Sequence, residues 1–143
     1  MPKPVETTRF ENIENKDMQN ITVRLKNTDA ATAGNYGTFF IATRPYEVME
    51  IHAIWATAST SGTLNVERLT GTTAEGSGSN IISTAIAMSG TANTVNTKKT
   101  TALANRLLST GDRLALVDAG TLTNQANVVV TVLIKPRGKG DYR

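Results

Sequence analysis

The stretch from Leu103 to Lys135 places the tightest constraint on what this chain can become. Its apolar residues come in short runs, Leu107-Leu108, Leu114-Ala115-Leu116-Val117 and Val128 to Ile134, separated by Ser109-Thr110-Gly111-Asp112-Arg113 and Asp118-Ala119-Gly120-Thr121. No spacing of three and four residues is sustained, so the pattern predicts strands joined by turns and not amphipathic helices. Ala102 to Leu108 reads as a polar-punctuated strand leading into this ladder. A segment devoted to a stiff β-framework, with few reactive side chains, suits a binding or building part better than an enzyme.

The remainder of the chain reads the same way. Residues 1–19 are polar, carry Pro2 and Pro4, and hold Phe10, Ile13 and Met18 without a sustained period, which predicts an extended N-terminal arm. Ile21, Val23 and Leu25 alternate with Thr22, Arg24 and Lys26, the signature of a half-buried strand. Phe39-Phe40-Ile41 is a short apolar run for a core or an interface. After Pro45, which cannot donate to a ladder, strict alternation from Tyr46 puts Met49, Ile51, Ala53 and Trp55 on one face. Tyr46, Val48, Glu50, His52 and Ile54 then share a mixed face, suited to packing against a neighbouring subunit or to partial contact with water.

Ser59 to Gly62 is a turn, and Thr63 to Leu69 sets Leu64 and Val66 opposite Asn65 and Glu67. Thr70 to Ser79 reads as a long flexible loop. Asn80 to Met88 meets part of a helical period, but its Thr, Ser and Ile content and the nearby Gly90 favour an irregular strand. Asn93 to Thr101 is a polar strand. The sum is an all-β chain: one jelly-roll-like β-sandwich of about eight strands over residues 20–135, between the arm and a basic C-terminal tail at 136–143.

Composition narrows the function classes. A chain of 143 residues buries roughly 68–70% of its unfolded surface, enough for one core without staples. Cysteine is absent, so there is no thiol nucleophile and no cysteine zinc site. The net charge of +3 is gathered at the C-terminus, in Lys135, Arg137, Lys139 and Arg143, with Lys98-Lys99 the one internal basic doublet. Neither a basic stripe nor a recognition motif is present, which argues against a nucleic-acid partner. No apolar run reaches the roughly 18 residues of a membrane span, and the first residues lack the apolar centre of a signal peptide, so a soluble cytoplasmic product is expected.

No motif points to catalysis, a cofactor or a metal. His52 and Glu50 stand two apart on one strand face and are the one pair with metal-ligand chemistry, but a site needs three or more ligands and the chain has no second histidine. Glu75-Gly76-Ser77-Gly78-Ser79 lacks the Lys-Ser/Thr that follows a phosphate-cradling loop. Glu47 and Glu50 fall on opposite faces of a regular strand, which separates them as an acid/base pair. Trp55 aligns with core residues, and aromatics at 5% supply a glycan-binding cleft poorly. The residues assigned to partner contacts are therefore Phe10, Ile13 and Met18 of the arm, Phe39 and Phe40, Tyr46 and His52 of the mixed face, and the basic residues Lys135, Arg137, Lys139 and Arg143.

At Leu64-Asn65-Val66-Glu67-Arg68-Leu69-Thr70-Gly71-Thr72-Thr73-Ala74 and again from Leu103 to Leu116, the chain resembles small β-rich tailed-bacteriophage virion proteins. Gly120-Thr121-Leu122-Thr123 and Val128 to Val132 extend the likeness, which covers about residues 37 to 135. The resemblance implies a capsid decoration, or cement, protein: a non-catalytic jelly-roll oligomer, frequently a trimer. Its partners would be the major capsid protein and other virion subunits, in the host cytoplasm during assembly and then in the virion. A head-fibre base, a neck or tail component, or a glycan-binding sandwich are the alternatives.

Overall fold

The computed structural model describes residues 18–25, 37–100, 103–120, 122 and 124–138. Ten strands and one helical turn appear among them: β1 (Gln19–Arg24), β2 (Thr38–Ile41), β3 (Tyr46–Ile54), β4 (Thr63–Leu69), β5 (Ser79–Asn80), β6 (Ile86–Ala87), β7 (Asn96–Lys99), α1 (Leu103–Arg106), β8 (Leu107–Leu108), β9 (Arg113–Ala119) and β10 (Val129–Pro136). They build two antiparallel sheets. The first runs β1-β10-β3-β7, with β8 also on β3, and the second runs β2-β9-β4-β5, with β6 also on β4. The last two of the described strands each enter the middle of a sheet, β10 between β1 and β3 and β9 between β2 and β4. The result is a jelly-roll-like β-sandwich.

Period-two patterning explains the packing. In β10, Val130, Val132, Ile134 and Pro136 are buried while the residues between them are half-buried. Val130, Val132 and Ile134 meet Ile51 and Ala53 of β3, Trp55 just past its end and, across the sandwich, Leu64 and Val66 of β4 with Leu114 and Leu116 of β9 in one core. Each such side chain contributes roughly 1.5–3 kcal/mol by leaving water. The Trp55 indole N–H, which burial would otherwise orphan, donates to the carbonyl of Gly90 at 3.1 Å. Phe39 and Phe40 pack on the same core, and Phe40 meets Tyr46 edge-on at 5.4 Å between ring centroids.

Three local expectations are corrected. The strand expected from Ala102 is a helical turn at Leu103–Arg106 followed by the two-residue β8. The Arg68 guanidinium accounts for it: its Nη1 donates to the carbonyls of Ala104 at 2.8 Å and Leu107 at 2.9 Å. The carbonyls thus converge on one cation in the second sheet while β8 pairs with Tyr46 and Glu47 in the first. Secondly, the alternation along β3 breaks. Glu50 pairs with Leu133 but Val48 pairs with Ile134, so Met49 is an extra residue in a β-bulge. Tyr46 and Val48 therefore turn inward and are buried, with Ile51, Ala53 and Trp55 continuing the core face beyond the bulge.

Thirdly, the glycine-rich stretch after β4 is a fixed flap and not a loose loop. The Glu67 carboxylate, 1% exposed, accepts the backbone N–H of Gly76 at 2.5 Å and of Gly78 at 3.0 Å. Glu75 accepts both the N–H and the hydroxyl of Thr38, at 2.7 and 2.9 Å. Arg113 donates to the carbonyls of Gly71 and Thr73, and Asn65 to that of Ile82. Gly78 has no room for a side chain, since a Cβ there would lie 2.5 Å from the Arg68 carbonyl oxygen. The flap covers the outer face of the second sheet, and Asn65, Glu67 and Ala115 are buried beneath it.

Candidate interaction surface

Among the described residues, the outer face of the first sheet is the broad strand surface that no loop covers. Register places its side chains in cross-strand rows. Thr22, Thr131, His52 and Thr97 form one row across β1, β10, β3 and β7, and Asn20, Leu133, Glu50 and Lys99 form the next. Polar groups in these rows satisfy one another. The Thr22 and Thr131 hydroxyls lie 3.2 Å apart, His52 Nδ1 is 3.0 Å from the Thr97 hydroxyl, and His52 Nε2 is 3.1 Å from Glu50 Oε2. In the neutral tautomer that carries its hydrogen on Nε2, the ring donates to Glu50 and its Nδ1 accepts from Thr97.

The bulge shapes the rest of the surface. It turns Met49 and Glu50 toward the same side, and with Met18 and Leu133 they line a groove of about 330 Å³. Glu47 and Arg106 form its far wall, paired at 3.1 Å. Glu47 and Glu50, expected on opposite faces, thus share one groove, but each already has a partner, Arg106 and His52 respectively. Among the described residues no group of three or more histidine or acidic side chains converges on a point where a metal ion would sit. Buried Glu67 has both oxygens engaged by the flap.

The residues assigned to partner contacts separate in space. Met18, His52 and Lys135 belong to the open face; Lys135 pairs in register with Glu47. Tyr46 is buried on the opposite side of the same strand, and Phe39 and Phe40 lie in the other sheet, half-buried against the core. The Arg137 backbone N–H donates to the Pro45 carbonyl at 2.9 Å, which fixes the start of the C-terminal tail on the sandwich. Phe10, Ile13, Lys139 and Arg143 lie outside the described residues. Sequence reasoning missed Met49, Leu133 and Lys99, because a bulge has no residue signature in β3 and the groove exists only once β10 and β7 flank it.

No protein-family model matches the chain, and no curated protein matches it. Solved structures do. A chain in the capsid of Ralstonia phage GP4 superposes with a TM-score of 0.55 at 14% identity, covering 86% of this chain and 86% of that one. A chain in the capsid asymmetric unit of cyanophage Pam1 matches at a TM-score of 0.49 and 16% identity, with 84% of each chain covered. At such identities the likeness to the GP4 chain is one of fold: the two share the two-sheet sandwich over nearly their whole lengths. No helix among the described residues is long and apolar enough to cross a membrane.

Proposed function

We propose that this chain is a non-catalytic structural protein of a bacteriophage virion, and that it decorates the capsid and cements it where capsid subunits meet. The observation that supports this best is the two-way coverage of the GP4 likeness, 86% of each chain. A chain of equal span, carrying the same sandwich, resides in a capsid. A small sandwich that fills its own core and leaves one broad face open is suited to riding on a shell built by another protein.

The physics of cementing fits the architecture. A protein that binds the assembled shell better than separated subunits stabilises the shell by mass action. Repetition of one modest contact over many equivalent positions adds through effective concentration. A stiff sandwich loses little conformational entropy on docking, which keeps each contact favourable. The outer face of the first sheet, with its Met18–Met49–Leu133 groove, is the proposed capsid-facing surface, and the major capsid protein is the proposed partner. The chain acts as a homo-oligomer, meeting its partners in the host cytoplasm during assembly.

The test is to add purified full-length protein to expanded capsids that lack it. Saturable binding at a fixed ratio to capsid subunits, with a higher temperature of capsid disruption, is expected. Binding to neck or tail assemblies instead, or to glycans with no capsid binding, would overturn the assignment.

A further inference from the structure

The strand edges of this molecule are unequally protected. A free edge offers unpaired N–H and C=O groups, and stable monomers blunt it with short strands, bulges, proline or lysine. On the first sheet, β7 is four residues long and carries Lys98 and Lys99. On the second, β2 is four residues long with a bulge between Thr38 and Phe40, and β5 and β6 have two residues each. β1 has none of these devices. Its six residues, Gln19-Asn20-Ile21-Thr22-Val23-Arg24, run in unbroken register against β10, and no strand among the described residues pairs with its other edge.

The direction of each backbone group in β1 follows from one bond. The Leu25 N–H donates to the Val128 carbonyl at 3.0 Å, so the odd-numbered residues bond inward to β10. Asn20, Thr22 and Arg24 therefore point their N–H and C=O groups outward. We infer that β1 docks a second copy of this chain, the two β1 strands pairing antiparallel about a two-fold axis through Thr22.

That register is self-complementary at every position. Asn20 faces Arg24 of the second copy, Thr22 faces Thr22, and Arg24 faces Asn20, each an outward-bonding pair that exchanges two main-chain hydrogen bonds. On the core side Ile21 meets Val23 of the second copy, and Val23 meets Ile21. Both are packed on the core but only partly buried, and the second strand covers their open flanks. The strand carries a single charge. Antiparallel pairing holds the two Arg24 side chains four residues apart along the strand, about 14 Å, beyond the screening length at physiological salt. On the outer face the Thr22–Thr131 hydroxyl contact continues across the axis, joining the two open faces into one surface. Such an isologous contact closes at two copies and differs from the three-fold association that the sequence resemblance implies. It needs no capsid, so it stands or falls independently of the cement reading.

The absence of cysteine makes a direct test available. Across a bonded antiparallel pair the Cα atoms are about 5.5 Å apart, within disulfide reach. Thr22→Cys in the full-length chain is expected to give a disulfide-linked dimer under mild oxidation, and Thr72→Cys, on the exposed part of the flap, is not. Thr22→Pro removes an outward N–H while leaving the bonds to β10 intact, and should weaken dimerisation by about tenfold or more in sedimentation equilibrium. Should the proline unsettle the strand, Asn20→Arg tests the same register by setting two arginines opposite each other; adding Arg24→Glu should restore the dimer. A chain that stays monomeric at the highest attainable concentration overturns the inference. So does an oligomer indifferent to Asn20→Arg, or a Thr22→Cys variant that cross-links no faster than Thr72→Cys.

Discussion

The two sheets are made of similar strands, yet they treat their outer faces in opposite ways. Beneath the flap, Asn65 and Glu67 are buried and are satisfied by backbone groups of the loop that covers them. On the first sheet, His52, Glu50, Thr97, Thr22 and Thr131 stay at the surface and satisfy one another. A polar residue that alternates with a core residue can therefore anchor a covering loop or sit on an open surface. What decides is whether later chain returns to cover it. One sheet spends its second face on the molecule's own stability, and the other leaves its strand surface uncovered by any described loop.

Substitutions can break this contrast. Glu67→Ala strips the acceptor from two backbone N–H groups, and in chemical denaturation should cost about 3 kcal/mol, the scale of buried groups left unpaired. A loss below about 1 kcal/mol would mean the flap is not part of the folded unit. Gly78→Ala forces a Cβ against the Arg68 carbonyl and Leu69, and should cost about 2 kcal/mol as an overpacked site. Arg113→Ala frees only the carbonyls at the flap's entrance, for a loss of about 1 kcal/mol by thermal unfolding. On the open face, His52→Ala should change stability by no more than about 0.5 kcal/mol. If His52→Ala proved as damaging as Glu67→Ala, the open face would be structural and the contrast would fail.

Much of the architecture could be read from the chain. The alternation in Ile21-Thr22-Val23 and in Leu64-Asn65-Val66 marks β1 and β4 because one face of each meets the core, and the nearly continuous apolar run from Val128 to Ile134 marks β10, which lies inside its sheet. Asn80 to Met88 is irregular as expected, with β5 and β6 each pairing briefly with β4. Legibility failed where structure depends on distant chain. The bulge at Met49 is set by register with β10, more than eighty positions on, and the residues around it alternate as smoothly as in a regular strand. Leu103 to Arg106 reads as strand from its place before the ladder, although Leu, Ala and Arg favour a helix; the turn sets the Ala104 carbonyl beside that of Leu107, where both accept from Arg68. Gly78, which locally signals looseness, is the close-approach point of the flap. On the open face, His52 and Met18 could be singled out from the chain alone, while the groove beside them depends on strands distant in sequence that build it.

The placement of β9 and β10 inside the two sheets also governs how the chain reaches its fold. Thr22 waits for Thr131, 109 residues later, and β2 waits for β9. Loop-closure entropy must be met before these distant pairings reward the chain, which makes folding slow in the manner of other non-local β-proteins. Until the final strands are synthesised, β1, β2 and β3 lack the neighbours that complete their ladders. A chain cut before β9 would present several bare strand edges at once, because β9 and β10 are the strands that cover the edges of β1, β2, β3 and β4.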